Sequence, residues 1–268
     1  MPEAGERPTG RDDIAGNSDA IVDGINRNAV NPRVQYGGDQ LEQACELVEH
    51  FRRGAPALRG FRLDAVRALW SVMFSLPRLS VTLTSSPNGR EINHHLGLRS
   101  WGVRKNRIAQ AVLPVPAGEE EYLRRGHRIV RRQVRRARAA GVSCEVLSSE
   151  RERADVRRWL APRKPGLDGW LDDLSHPSDA CWWVARSADG DPIAIAVVAV
   201  DSDAALLQIL VSTDHPARYL LHTEIVVSLA RTGVRYLLTI SPMLPRMAPN
   251  LRYFQWMLGY QVAHLVVR

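Results

Sequence analysis

AALLQILVSTDHPARYLLHTEIVVSLARTGVRYLLTI runs from Ala204 to Ile240. AALLQILVS (204–212) is an apolar run of strand length. ARYLLHTEIVVSLARTG (217–233) predicts a helix, and Gly233 is a suitable stop for it. VRYLLTI (234–240) predicts a second strand. A strand, a helix and a strand in that order call for a crossover within one sheet.

The flanks extend the pattern. Upstream, VSCEVLSS (142–149) reads as a strand. ERERADVRRWLA (150–161) and GLDGWLDDLS (166–175) read as helices separated by PRKP, and Ser148-Ser149 as a cap before the first. ACWWVARS (180–187) and IAIAVVAV (193–200) are strands joined by the tight turn ADGDP. Trp182 and Trp183 straddle the first of these; both are expected to pack in the core, with one lining an acceptor cleft as the alternative. Downstream, NLRYFQWML (250–258) is a helix and YQVAHLVV (260–267) a strand. Mixed strands with two late crossovers predict an α/β fold around a central sheet.

Before this region lies EEEYLRRGHRIVRRQVRRARAAG, residues 119–141, with eight arginines and three glutamates. The chain as a whole carries +7, so this segment supplies most of the excess. Glutamates in the first turn suit a helix N-terminus, and Gly141 suits its end. Tyr122, Leu123, Ile129, Val130, Val134 and Ala137 form an apolar stripe opposite the arginines. A free arm that grips nucleic acid has no use for such a stripe. The expectation is one packed helix with a cationic outer face.

Residues 1–38 are rich in Gly, Asp, Asn, Pro and Arg and predict a disordered lead. Helices are expected over 40–53 and 64–76. Strands are expected over 79–86, 92–103 and 107–115, with Asn88-Gly89 as a hairpin turn. On a strand His94 and His95 point to opposite faces, which excludes a chelating pair.

Several classes are excluded. No apolar run approaches the ~18 residues of a membrane span. The N-terminus lacks a basic region and apolar core, so no signal peptide is expected. Cys45, Cys144 and Cys181 are far apart without CxxC spacing. They predict free thiols in a reducing cytoplasm, and no metal site. GxSxG, Walker and GxGxxG motifs are absent, which argues against hydrolase, nucleotide triphosphatase and dinucleotide roles.

The element order from Val142 to Val267 resembles the Gcn5-related N-acetyltransferase (GNAT) fold. The carriers are the ADGDP turn, the AALLQILVS strand running through TDHPARYLL into a helix, and the closing FQWMLGYQVAHL. Upstream, LPVPAGEEEYLRRGHRIVRRQVRRARAAGVSCEVL is similar to a segment of FemAB-like and CelD-like acyltransferases. The resemblance implies an α/β (α+β) fold: a GNAT-like mixed central sheet flanked by helices, with an N-terminal α+β extension. It divides the chain into the lead (1–38), an α+β subdomain (39–118), the Arg-rich connecting helix (119–141) and the acyltransferase-like domain (142–268).

The resemblance also implies acyl transfer from acetyl-CoA, a longer acyl-CoA or another activated donor to a primary amine on a small molecule or peptide. It assigns Leu210, Val211, Ala217, Arg218, Tyr219 and Leu220 to the cofactor. The family's Gly-rich pyrophosphate loop is replaced here by Pro216-Ala217-Arg218-Tyr219-Leu220-Leu221. The family's acid, a tyrosine four residues before a Gly-aromatic pair, falls on Gln255, so Tyr253 stands as its substitute. His222 and Glu224, with His215 beside them, are candidate bases. Two other readings stay open. One is a GNAT-fold scaffold without catalysis. The other is a protein that binds nucleic acid or tRNA through Arg128, Arg131, Arg132 and Arg135.

Overall fold

The computed structural model describes residues 76–97, 99–100, 103–104, 110–160, 162, 179–240 and 249–268. Cys45, the expected helices over 40–53 and 166–175, and nearly all of that over 64–76, lie outside them. The elements are β1 (Arg78–Val81), α1 (Pro87–Gly97), β2 (Arg99–Ser100), β3 (Val103–Arg104), β4 (Gln110–Pro114), α2 (Glu119–Arg125), α3 (Arg128–Ala139) and β5 (Ser143–Leu147). Then come α4 (Glu150–Leu160), β6 (Cys181–Arg186), β7 (Pro192–Asp201), β8 (Ala204–Ser212), α5 (His215–Arg231), β9 (Tyr236–Thr239), α6 (Pro249–Met257) and β10 (Gln261–Val267).

Among the described residues eight strands form one mixed sheet in the order β1-β10-β4-β9-β8-β7-β6-β5. β5 to β8 are successive antiparallel neighbours. β8 and β9 are parallel, joined by the crossover through α5. β4 lies between β9 and β10 and is antiparallel to both. β1 is parallel to β10 at the edge. The fold is α/β, and its sheet draws strands from both sides of Gly118.

Helices cover both faces. α2, α3, α5 and α6 bring Tyr122, Val134, Leu221, Ile225 and Phe254 against Ala196, Val198, Leu207 and Leu237. α1 and α4 bring Ile92, Leu96 and Val156 against Val184, Ile195, Val197 and Leu206. β7 is therefore buried on both sides, which explains its unbroken apolar sequence. Trp182 is buried on the second face, with the Arg157 guanidinium 4.6 Å from its ring centroid. Trp183 packs half-buried on the first.

Two sequence expectations change. Residues 87–97 form a helix, so Ile92–Gly97 is not strand and Asn88-Gly89 is not a hairpin turn. Buried Asn88, Gly89, Ile92, His95 and Leu96 follow helical spacing, and Pro87 opens the first turn. His94 and His95 thus sit on α1 rather than on a strand. The Arg-rich segment is two helices, not one. The backbone is extended at Gly126 and His127, and the His127 side chain caps α3 by accepting from Ile129 N at 3.3 Å.

The packed-helix expectation for the arginines stands. Val130, Gln133, Val134 and Ala137 are buried, while Arg128, Arg131, Arg132, Arg135 and Arg136 are exposed. α3 and α5 end at Gly141 (φ +71°) and Gly233 (φ +80°), a left-handed conformation that glycine adopts without strain. The α4 start is a capping box: Ser149 Oγ accepts from Glu152 N, and the Glu152 carboxylate accepts from Ser148 N and Ser149 N.

Candidate functional site

β8 and β9 part company early. Their pairing ends at Leu207 and Thr239, with Ile240 N donating to Leu207 O at 3.3 Å. β8 continues to Ser212. On its other edge Val198 pairs with Leu207 and Val197 with Ile209, so Gln208 is an extra residue, a β-bulge. A cleft of about 150 Å³ opens there, walled by Leu207, Gln208 and Leu210 of β8, Thr239 and Ile240 of β9, Arg218 of α5, Phe254, Gln255 and Leu258 at α6, and Tyr260.

Leu210 and Arg218 are the two expected cofactor residues that line this cleft. Val211 packs toward the opposite face of the sheet. Ala217, Tyr219 and Leu220 are buried packing residues. Tyr219 meets Phe254 edge-on with ring centroids 5.2 Å apart. The Arg218 guanidinium lies 4.0 Å from the Phe254 centroid, a cation–π contact. Burial lowers its pKa, and among the described residues no carboxylate pairs with it. The first turn of α5 is capped by Asp214, whose Oδ1 accepts from Ala217 N at 2.8 Å.

None of the three expected catalytic groups lines the cleft. Glu224 is bound to Arg138, whose guanidinium reaches it at 2.9 Å and Glu119 at 2.6 Å. Tyr253 is exposed and stacks on exposed Trp256 at 5.9 Å. His215 is exposed and tilts over Tyr219 at 5.2 Å.

His222 is fully buried between two phenols. Its Nδ1 is 2.9 Å from Tyr122 Oη and its Nε2 is 3.0 Å from Tyr260 Oη. A neutral imidazole has one donor and one acceptor nitrogen, so one tyrosine accepts and the other donates. Burial holds the His222 pKa at about 3, against 6.5 for a free imidazole. The unfolded chain thus binds this proton more readily. Stability from His222 is complete above 6.5 and is lost as pH falls toward 3. Near pH 5 the expected loss is about 2 kcal/mol, at ~1.4 kcal/mol per unit, and urea unfolding at pH 7 and 5 measures it.

Four polar cleft residues were not singled out from sequence as ligand contacts: Gln208, Thr239, Gln255 and Tyr260. A glutamine inside the apolar run of β8 was a signal for the first. Gln255 occupies the place where the resemblance puts a tyrosine. It points inward, and its Nε2 donates to Thr239 Oγ1 at 3.0 Å. Among the described residues no group of three or more His, Cys, Asp or Glu can hold a metal ion. No described helix is long and apolar enough to cross a membrane.

No family model matches this chain. No curated protein matches it either. Several solved structures are similar to it. FemX shares 11% identity over 58% of this chain and 59% of its own, with a TM-score of 0.43. The C-terminal domain of an Agrobacterium fabrum protein named as a lysylphosphatidylglycerol synthetase shares 16% over 58% of this chain, with a TM-score of 0.41. The present chain spans 57% of that domain, just over half. A tandem GNAT protein from the clavulanic acid biosynthesis pathway shares 15% over 78% of this chain and 69% of its own, with a TM-score of 0.39. All three TM-scores are below 0.5, and the fold description rests on the sheet order and register above.

Proposed function

We propose that the chain is an N-acyltransferase that moves an acyl group from acyl-CoA, or another activated donor, to a primary amine. The observation that supports this is the cleft where the parallel strands β8 and β9 diverge. In open α/β sheets, ligands bind outside the carboxyl ends of strands. Past Leu207 the β9-facing edge of β8 has no ladder partner among the described residues. Its backbone N–H groups are suited to polarise an acyl carbonyl. The amine nitrogen then bonds to the acyl carbon as the carbon–sulfur bond of a thioester breaks. The amine releases one proton and the departing thiolate takes one up.

Arg218 supplies the positive charge for the donor. Its guanidinium is held over Phe254 without a carboxylate partner among the described residues, which suits phosphate or carboxylate binding. Asp214 already engages the Ala217 N–H, so the first turn of α5 is less open to an anion than an uncapped helix. Isothermal titration with acetyl-CoA and a longer acyl-CoA tests the reading. Saturable binding is expected, and Arg218→Ala is expected to weaken it about tenfold, the cost of one charge-assisted hydrogen bond. No heat with either thioester would remove CoA as the donor. A tRNA retention assay would then separate a tRNA-linked donor from a non-catalytic scaffold.

A further inference from the structure

Two buried glutamines line the cleft, and each has an amide oxygen without a partner among the described residues. They are Gln208 Oε1 and Gln255 Oε1. Gln208 is 6% exposed and Gln255 3%. A buried acceptor left unmet does not recover its desolvation cost, so two beside one cleft call for a ligand that donates to them.

The orientation of Gln208 follows from chemistry. Its Nε2 donates to Glu91 Oε1 of α1. An ionised carboxylate can only accept, so the amide nitrogen faces Glu91 and the oxygen is the free atom. Gln208 is the bulged residue of β8. Gln255 Nε2 donates to Thr239 Oγ1, and its Oε1 has no partner among the described residues. Glu91 is a positioning residue for Gln208.

We propose that the cleft binds its acceptor as an uncharged primary amine, one N–H to Gln208 Oε1 and the other to Gln255 Oε1. This deepens the acyl-transfer reading and rests on it. A hydroxyl has one donor and would satisfy one oxygen only. An ammonium would meet the Arg218 guanidinium that lines the same cleft, and among the described residues no carboxylate lines it to offset the repulsion. Amide oxygens accept N–H without stabilising a positive charge as a carboxylate does. With both N–H groups engaged, the nitrogen lone pair stays free to attack.

The test uses 2,2,2-trifluoroethylamine, uncharged at neutral pH, and its N,N-dimethyl derivative, a similar base with no N–H. Fluorine NMR titration of the full chain reads both. The primary amine is expected to bind saturably, and the dimethyl compound at least about tenfold more weakly. Gln208→Leu and Gln255→Leu are each expected to weaken the primary amine by about tenfold. Equal binding of the two amines, or unchanged binding in both variants, overturns the proposal. Should Gln208→Leu fail to fold, the amine pair and Gln255→Leu still decide. Acetyl-CoA titration of the same samples separates the two readings. Lost amine discrimination with CoA binding intact sinks the acceptor proposal alone, and the reverse removes only the CoA donor.

Discussion

Replacing His222 with phenylalanine is expected to destabilise the protein by about 4 kcal/mol. The ring fits the space, but both nitrogens vanish. Tyr122 Oη and Tyr260 Oη, buried at 1% and 4% exposure, then lose their shared partner. Each stranded hydroxyl costs about 1–3 kcal/mol of unrecovered desolvation. Neither phenol can ionise to escape, because burial pushes both pKa values up. Tyr122→Phe strands only one His222 nitrogen and should cost about half as much. Urea unfolding at neutral pH measures both. A His222→Phe loss under about 1 kcal/mol would mean that water reaches the two hydroxyls. The variant should also lose the acid sensitivity that His222 confers between 6.5 and about 3. Because Tyr260 also walls the cleft, this buried triad fixes part of the site.

The strand–helix–strand core from Ala204 was readable because its signals agree. β8 matches the predicted strand from end to end, and Asp214, Pro216 and Gly233 punctuate α5 as helix rules require. At residues 87–97 two signals conflicted. Asn-Gly favours a hairpin turn, while Ser86, Pro87 and the spacing of Ile92, His95 and Leu96 favour a helix. Tertiary packing on β7 selects the helix, because that face needs covering. The break at Gly126-His127 was hidden because the apolar stripe continues across it. His222 resembled a base near a helix start, yet its partners come from 100 residues upstream and 38 downstream. The bulge at Gln208 depends on how β8 pairs with β7, which local patterning does not encode.

Gly89→Ala is expected to cost about 3 kcal/mol, against the usual gain of an alanine within a helix. A Cβ at Gly89 would lie 2.3 Å from the Thr84 carbonyl oxygen and 2.6 Å from Asp201 Oδ2. The first is backbone and cannot swing aside. The second belongs to a carboxylate that ties α1 to the end of β7. Asp201 accepts from Thr84 N at 2.6 Å and from Ser86 Oγ at 2.6 Å, and Ser86 Oγ in turn accepts from Gly89 N at 2.9 Å. Burial alone would raise the Asp201 pKa, but the bonds from Ser86 and Thr84 outweigh it and hold the carboxyl below its ordinary value. Hydrogen bonds to a charged group are worth about 1.5–3 kcal/mol each. Moving α1 outward to admit the methyl breaks at least one and stretches the others. Thermal unfolding checks the cost, and a change within about 0.5 kcal/mol would show that the helix start yields freely. The same shift has a second reading at the cleft. Glu91 is two residues along α1 and holds the Gln208 amide. Gly89→Ala should therefore weaken binding of the primary amine while sparing the Gln255 side of the site. A glycine outside the cleft lining would thus set how well the proposed acceptor is held.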